Sequence, residues 1–153
     1  MVIELVQWQD GIISANKKFI TALKKLCKKY DALLIVDEVQ SGMGRTGTLF
    51  SYEKYGFKPD LMCFAKGLAN GVPIGGILTN NKISDAMTIG CHGTTFGGGP
   101  IACAIGCKVL DLIEKKTLLN NVFKKEKIFL KHFNAVNEEL SCFKDIKSSG
   151  LWI

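Results

Sequence analysis

The sequence has a single arginine, Arg45. The other 19 of its 20 basic residues are lysines. The net charge of +6 would attract nucleic acid, but base recognition relies on arginine forks and stacked aromatic rings, which do not accompany the lysine clusters. We therefore interpret those clusters as solvated helix faces and expect no nucleic-acid partner. No apolar run is long enough to cross a membrane, and the N-terminus lacks the order of a secretory signal. The sequence thus predicts a soluble, cytoplasmic protein without a membrane partner.

Several motifs for metals and nucleotides are also missing. Six cysteines occur without a C-x-x-C pair, so we interpret them as buried, reduced thiols of a cytosolic protein and expect no metal site. There is no P-loop. The glycine-rich stretches 42–47 and 96–100 lack the dinucleotide-binding fingerprint. These absences weigh against the common nucleotide-binding folds.

What the sequence does have is an alternation of apolar runs and amphipathic stretches. Apolar runs predict strands at 2–7, 32–36, 61–65 and 73–79, with a further strand beginning at 150–153. Apolar residues at helical spacing predict helices at 14–30, 101–115 and 118–140. This alternation predicts an α/β fold with a mainly parallel sheet and flanking helices.

Two ionisable residues follow two of the predicted strands. Asp37 comes directly after one apolar run and Lys66 directly after the next, and ligands of open α/β sheets bind beyond such strand ends. One interpretation is that the two side chains form a structural ion pair. The other is chemical, because a desolvated lysine amine reacts with an aldehyde. If that aldehyde is pyridoxal phosphate, a carboxylate must hold its ring nitrogen protonated.

Three stretches carry a family resemblance. They are LLIVDEVQSGMGRTG (33–47), PDLMCFAKGLANGVPIGGIL (59–78) and HGTTFGGGPIACA (92–104). In this order and spacing they resemble the class III, ornithine-type aminotransferases, and among them the acetylornithine aminotransferases of arginine biosynthesis. The resemblance implies the large domain of pyridoxal-phosphate-dependent transferases of fold type I. It assigns residues 1–115 to that domain, and residues 116–153 to a connecting helix and the start of a smaller C-terminal domain.

The resemblance also implies roles around the cofactor ring. Lys66 would hold pyridoxal 5'-phosphate as a Schiff base and move the proton between substrate and cofactor. Asp37 would pair with the pyridinium nitrogen. Val39 would pack against one face of the ring, and Gln40 would lie beside its hydroxyl group.

The resemblance also implies roles for residues that do not contact the cofactor ring. Thr95, helped by Thr94, would bind the phosphate of a cofactor held by a neighbouring subunit, which implies a homodimer. Glu4 would lie beside the substrate. Arg45, in the family's GRTG turn, is interpreted as structural.

The implied reaction is amino transfer in two half-reactions. The terminal amino group of N-acetylornithine, or of a similar omega-amino donor, would pass to 2-oxoglutarate. Ornithine or 4-aminobutyrate aminotransferase activity is an alternative. Another alternative is a non-catalytic, degraded fragment of such an enzyme.

The sequence departs from the family pattern at residues 7–11, which read QWQDG where the family has QGEGG. Trp8 replaces a glycine beside the substrate channel. Gln9 replaces a glutamate that pairs with a substrate-binding arginine, and a neutral amide cannot form that ion pair. We further expect a fragment that lacks the N-terminal part, with its phosphate-binding loop, and most of the C-terminal small domain.

Overall fold

A mixed four-stranded sheet lies at the centre of the computed structural model, which describes residues 1–153. The chain forms six strands, β1 (Val2–Ile3), β2 (Val6–Gln7), β3 (Ile13–Ser14), β4 (Ile35–Asp37), β5 (Leu61–Phe64) and β6 (Gly76–Thr79). The central sheet has the order β1-β4-β5-β6, and β2 and β3 form a separate antiparallel hairpin. Strand β4 is parallel to both β1 and β5, whereas β6 is antiparallel to β5. The predicted α/β fold with a mainly parallel sheet is confirmed.

Four α-helices surround the strands. They are α1 (Lys17–Lys29), α2 (Asn81–Ser84), α3 (Pro100–Ile113) and α4 (Lys116–Leu140). Helix α1 begins at Asn16, whose side-chain oxygen accepts a hydrogen bond from the Lys18 amide at 2.7 Å, as an N-cap does. The three helices that the sequence predicts are present within a few residues of their expected ends. The predicted domain boundary at residue 115 falls between α3 and α4, and the division into two domains stays a prediction.

Two sequence predictions of strands are wrong. Residues 2–7 form two short strands in different sheets, because the chain leaves the central sheet after Ile3 and Leu5 accepts a hydrogen bond from Ala15 at 2.8 Å. Residues 150–153 form no strand. A turn at Gly150 instead brings Ser149 and Trp152 into an isolated bridge, in which the Ser149 amide donates to the Trp152 carbonyl at 3.0 Å.

The main core lies between α1 and the sheet. It consists of Leu5, Ile20, Leu23, Cys27, Leu34, Val36 and Phe57. The apolar stripe of α1 supplies three of these residues, which covers one face of the parallel strands and explains their apolar sequences. No helix of the structure combines the length and apolarity needed to span a membrane.

The prediction of buried thiols is only partly right. All six cysteines are free, and Cys27 is buried in the core. Cys91, Cys107 and Cys142 are exposed, because they lie on surface segments and helix faces that nothing in the chain covers. No group of three or more His, Cys, Asp or Glu side chains is arranged to hold a metal ion.

Strands β1 and β6 are the two edges of the central sheet. Each pairs with one neighbour only, and β6 carries Ile77 and Leu78 with exposed fractions of 57% and 52%. The strands β4 and β5, which end beside Asp37 and Lys66, are the two central ones.

The C-terminal segment, residues 148–153, packs tightly against residues 42–47. Gly150 has φ +66°, and a Cβ atom there would lie 2.5 Å from the Arg45 carbonyl oxygen and 2.6 Å from the Thr46 Cα. Both neighbours are backbone atoms, so neither can rotate away. Leu151 adds a hydrogen bond from its amide to the Arg45 carbonyl at 3.0 Å.

We expect Gly150→Ala to destabilise the chain more than Gly56→Ala does. Both glycines have φ +66°, but nothing lies within 4 Å of a Cβ at Gly56. The left-handed backbone costs each variant about 1–2 kcal/mol, and steric overlap adds about 1–3 kcal/mol at Gly150 alone. Urea unfolding of the two variants measures the difference in the free energy of unfolding. Equal losses would show that the contact between the C-terminal segment and residues 42–47 contributes no stability.

Candidate active site

Parallel pairing carries Asp37 and Lys66 to the same edge of the sheet. Asp37 is the last residue of β4 and lies opposite Cys63 of β5, and Lys66 follows the end of β5. Burial, with the Asp37 charge as a second cause, raises the pKa of the Cys63 thiol. Cys63 therefore favours its protonated, poorly nucleophilic form.

The alternative interpretation, in which Asp37 and Lys66 form a structural ion pair, is wrong. The Lys66 amine donates a hydrogen bond to the Gln40 side-chain oxygen at 2.8 Å, and Asp37 Oδ1 accepts one from the Val39 amide at 2.9 Å. The one ion pair in the chain joins Lys147 and Asp145. The hydrogen-bond partner of Lys66 is therefore a neutral amide.

Lys66 is exposed, so the expected desolvation of its amine is also wrong. The residue begins a 3-10 turn, Lys66–Ala69, shortly after the end of β5. Its backbone is in the left-handed region, with φ +45°. Such a conformation costs about 1–3 kcal/mol in a residue other than glycine and is often found where a side chain must be presented in one direction.

A cleft of about 440 Å³ lies above Lys66. Val39, Gln40 and Lys66 line it together, with Arg45 and both tryptophans, Trp8 and Trp152. Among its 13 lining residues are two cations, Arg45 and Lys66, and no carboxylate. The structure thus brings three of the predicted cofactor residues into one site.

The other predicted site residues do not line this cleft. Thr94 and Thr95 are exposed in the segment before α3, and neither hydroxyl has a hydrogen-bond partner in the chain. Glu4 is half-buried between β1 and β2. Asp37 lies at the strand end beneath the loop that carries Val39 and Gln40.

The sequence interpretation missed Glu38, a carboxylate that is completely buried. It accepts hydrogen bonds from the hydroxyls of Ser41 at 2.5 Å and Ser51 at 2.7 Å, and from the Tyr52 amide at 2.8 Å. No cation forms an ion pair with it. Three donors satisfy the carboxylate and join the start of the loop after β4 to the 3-10 helix Ser51–Tyr55.

A half-buried lysine holds the same loop from its other end. The Lys54 amine donates to the Thr46 carbonyl and lies 5.7 Å from the centre of the Phe123 ring on α4. Burial lowers the pKa of Lys54, while the charges of Glu126 and Glu38 act in the opposite direction. Glu126 in turn accepts hydrogen bonds from the Ser148 hydroxyl and the Gly150 amide, both at 2.8 Å. The loop of residues 42–47 is therefore braced by the 3-10 helix, α4 and the C-terminal segment.

Aminotransferases of known structure share this fold. An N-acetylornithine aminotransferase from Stenotrophomonas maltophilia K279a matches with a TM-score of 0.87 and 33% identity, over 98% of this chain and 38% of that one. An acetylornithine aminotransferase from Elizabethkingia anophelis matches with a TM-score of 0.90 and 33% identity, over 98% and 38% of the two chains. The fold, with a lysine and a carboxylate at neighbouring strand ends, defines an α/β aminotransferase domain.

Sequence comparison narrows that class to one family. The aminotransferase class-III family matches residues 1–153, and the chain belongs to it. An acetylornithine/succinyldiaminopimelate aminotransferase from Buchnera aphidicola subsp. Acyrthosiphon pisum (strain APS) is 46% identical over the whole chain, and a succinylornithine transaminase from Citrobacter koseri is 42% identical. In both comparisons this chain spans 38% of the relative's length. The family resemblance seen in the sequence is confirmed.

The buried charge of Glu38 contributes to the raised pKa values of two phenols. Burial first, and the negative charge of Glu38 in addition, raise the pKa values of Tyr52 and Tyr55; Glu53 raises that of Tyr52 alone. We expect Glu38→Gln to lower both pKa values toward the ordinary range, because an amide keeps the shape but not the charge. Glu53→Gln should lower the pKa of Tyr52 only.

Titration of the tyrosine Cζ resonances by ¹³C NMR separates the two phenols. The control variant, Glu53→Gln, makes the same change of size and charge as the test variant, Glu38→Gln. A Tyr55 pKa that is the same in Glu38→Gln as in the parent chain would contradict the predicted interaction.

Proposed function

We propose that this chain holds pyridoxal 5'-phosphate at Lys66 and is part of an enzyme that transfers an amino group from an omega-amino donor to 2-oxoglutarate. The observation that carries the proposal is the Lys66 amine, which is exposed to a cleft, bonded to Gln40 and not engaged in an ion pair. The chain spans 38% of the length of the two curated relatives. We therefore propose this activity for the whole protein of which the chain is part.

The residues present fit the cofactor. The Asp37 side chain uses one oxygen for the Val39 amide, and its other oxygen has no donor in the chain. That oxygen is free to accept a hydrogen bond from a protonated ring nitrogen. The hydroxyls of Thr94 and Thr95 are exposed and unpartnered, as a phosphate site contributed to a neighbouring subunit requires. We therefore propose a homodimer.

Each of these residues has a task in the proposed reaction. When bound, pyridoxal phosphate supplies an electron-withdrawing ring that stabilises negative charge on a substrate carbon. Lys66 would hold the cofactor and then carry a proton on Nζ, while Gln40 orients that amine through the 2.8 Å hydrogen bond. Val39 would contact one face of the ring. Asp37 would keep the ring nitrogen protonated by its negative charge.

The amino donor we propose is an N-acylated diamino acid, with N-acetylornithine as the first candidate. The curated relatives with 46% and 42% identity are named for acetylornithine, succinyldiaminopimelate and succinylornithine. These compounds share a blocked amine and a free one, so a single site could accept the class. Arginine biosynthesis is the corresponding pathway, and a cytoplasmic location agrees with six free thiols.

We expect borohydride reduction of the purified chain with pyridoxal phosphate to label Lys66 saturably. Asp37→Asn should reduce that labelling by about tenfold. Without the carboxylate charge the protonated ring nitrogen loses about 1.4 kcal/mol of stabilisation, which corresponds to one pKa unit. Asp111→Asn, at an exposed acid on α3, is the matched control and should leave it unchanged. Peptide mapping by mass spectrometry measures the label at each lysine. Labelling spread evenly over the 19 lysines would contradict the proposal.

A further inference from the structure

Glu38 begins a closed turn that ends at Gly42. The Glu38 carbonyl accepts a hydrogen bond from the Gly42 amide at 2.9 Å, so residues 38–42 form one turn with Gln40 in its middle. A Cβ atom at Gly42 would lie 2.7 Å from that carbonyl oxygen, and the closure therefore leaves no room for a side chain there. Gln40 thus occupies the apex of a turn whose two ends are joined by a backbone hydrogen bond.

The backbone of Glu38 also ties this turn to β5. The Glu38 amide donates to the Cys63 carbonyl at 2.8 Å, and Lys66 follows Cys63 by three residues. The Gln40 side-chain oxygen then accepts a hydrogen bond from the Lys66 amine at 2.8 Å. The turn is therefore joined to the segment that carries Lys66 in two places, by backbone atoms at Cys63 and by side chains at Lys66.

The side chain of Glu38 anchors the turn from its buried side. The Oε2 atom accepts from the Ser41 hydroxyl inside the turn. The Oε1 atom accepts from the Ser51 hydroxyl and the Tyr52 amide of the 3-10 helix Ser51–Tyr55. Glu38, Ser41 and Ser51 are all buried, so water does not compete for these bonds. Every polar group of Glu38 has a partner, although the residue does not line the cleft.

We infer that Glu38 is a positioning residue for the Lys66 amine, which it holds through Gln40 and the turn of residues 38–42. The inference deepens the proposed function and rests on it for the chemistry that the amine performs. An exposed lysine without a partner samples many rotamers. The Lys66 amine has one partner, the Gln40 oxygen, and no ion pair. Glu38 acts on this contact through its hydrogen bonds, and its charge is not required.

The contact between Gln40 and Lys66 can be measured without a cofactor. The Gln40 side-chain amide gives a ¹H–¹⁵N signal, which its absence in Gln40→Met assigns. Lys66→Met keeps the length of the side chain but removes the amine, and it should shift that signal. Ser51→Ala should reduce this shift at least about twofold, which is the lower limit of coupling within one hydrogen-bond network. Ser41→Ala removes the donor inside the turn and should have the same effect.

Ser148→Ala is the matched control. The Ser148 hydroxyl also donates to a carboxylate, that of Glu126 at 2.8 Å, but it takes no part in the turn or its anchors. This variant should keep the full shift that Lys66→Met causes. Glu38→Gln should keep most of it, because the amide oxygen can accept in place of Oε1 and the NH₂ group can donate to the Ser41 hydroxyl.

Three results would overturn the inference. The first is that Lys66→Met does not shift the Gln40 signal in the parent chain. The second is an equal shift in the Ser51→Ala and Ser148→Ala backgrounds. The third is a loss in Glu38→Gln as large as that in Ser51→Ala, because the charge rather than the hydrogen bonds would then hold the turn.

Borohydride labelling with pyridoxal phosphate separates this inference from the proposed function. Ser51→Ala should reduce saturable labelling of Lys66 at least about twofold relative to Ser148→Ala, in proportion to the lost contact. Equal labelling of the two variants would also overturn the inference. If the Gln40 signal depends on Ser51 but Lys66 is not labelled in the parent chain, the positioning role stands and the proposed function fails. If Lys66 is labelled saturably but the Gln40 signal ignores Ser51, the proposed function stands and the positioning role fails.

Discussion

The geometry of the site depends on the hydrogen bonds that the buried Glu38 carboxylate accepts. A buried carboxylate without an ion-pair partner is costly unless hydrogen-bond donors replace the water that it loses. Here two hydroxyls and one backbone amide meet that requirement, and they come from two different parts of the chain. Since Val39 and Gln40 directly follow Glu38, the same contacts hold both at the edge of the cleft. The position of the Lys66 amine follows in turn from its hydrogen bond to Gln40.

Much of the site could be predicted because it is local in sequence. Asp37 and Lys66 each follow an apolar run, and parallel pairing brings the ends of such runs together. The environment of Lys66 could not be predicted, because the 3-10 turn after β5 decides whether the amine is buried. Glu38 was missed for a related reason. Its partners Ser51 and Tyr52 are 13 and 14 residues away, and no pattern of polarity indicates that a serine hydroxyl will meet a carboxylate at that separation.

The errors in the fold have similar causes. Four of the six residues in 2–7 are apolar, so composition cannot show that the chain changes sheets within the stretch. The direction of β6 depends on the length of the connection. Residues 65–75 are too few for the helical crossover of about a dozen or more residues that a parallel pair requires. An antiparallel strand results at that edge. The positions of α1, α3 and α4 were predicted better, since each of these helices carries its own apolar spacing.

The strand order has an architectural consequence. The residues proposed to act on the cofactor lie at the ends of β4 and β5, and both flanks of these strands are already paired within the sheet. The unpaired hydrogen-bonding groups belong to β1 and β6. Extra strands can therefore widen the sheet on either side without altering the register between Asp37 and Cys63. Pairing at the outer strands would leave the spacing between the ends of β4 and β5, where Asp37 and Lys66 lie, unchanged.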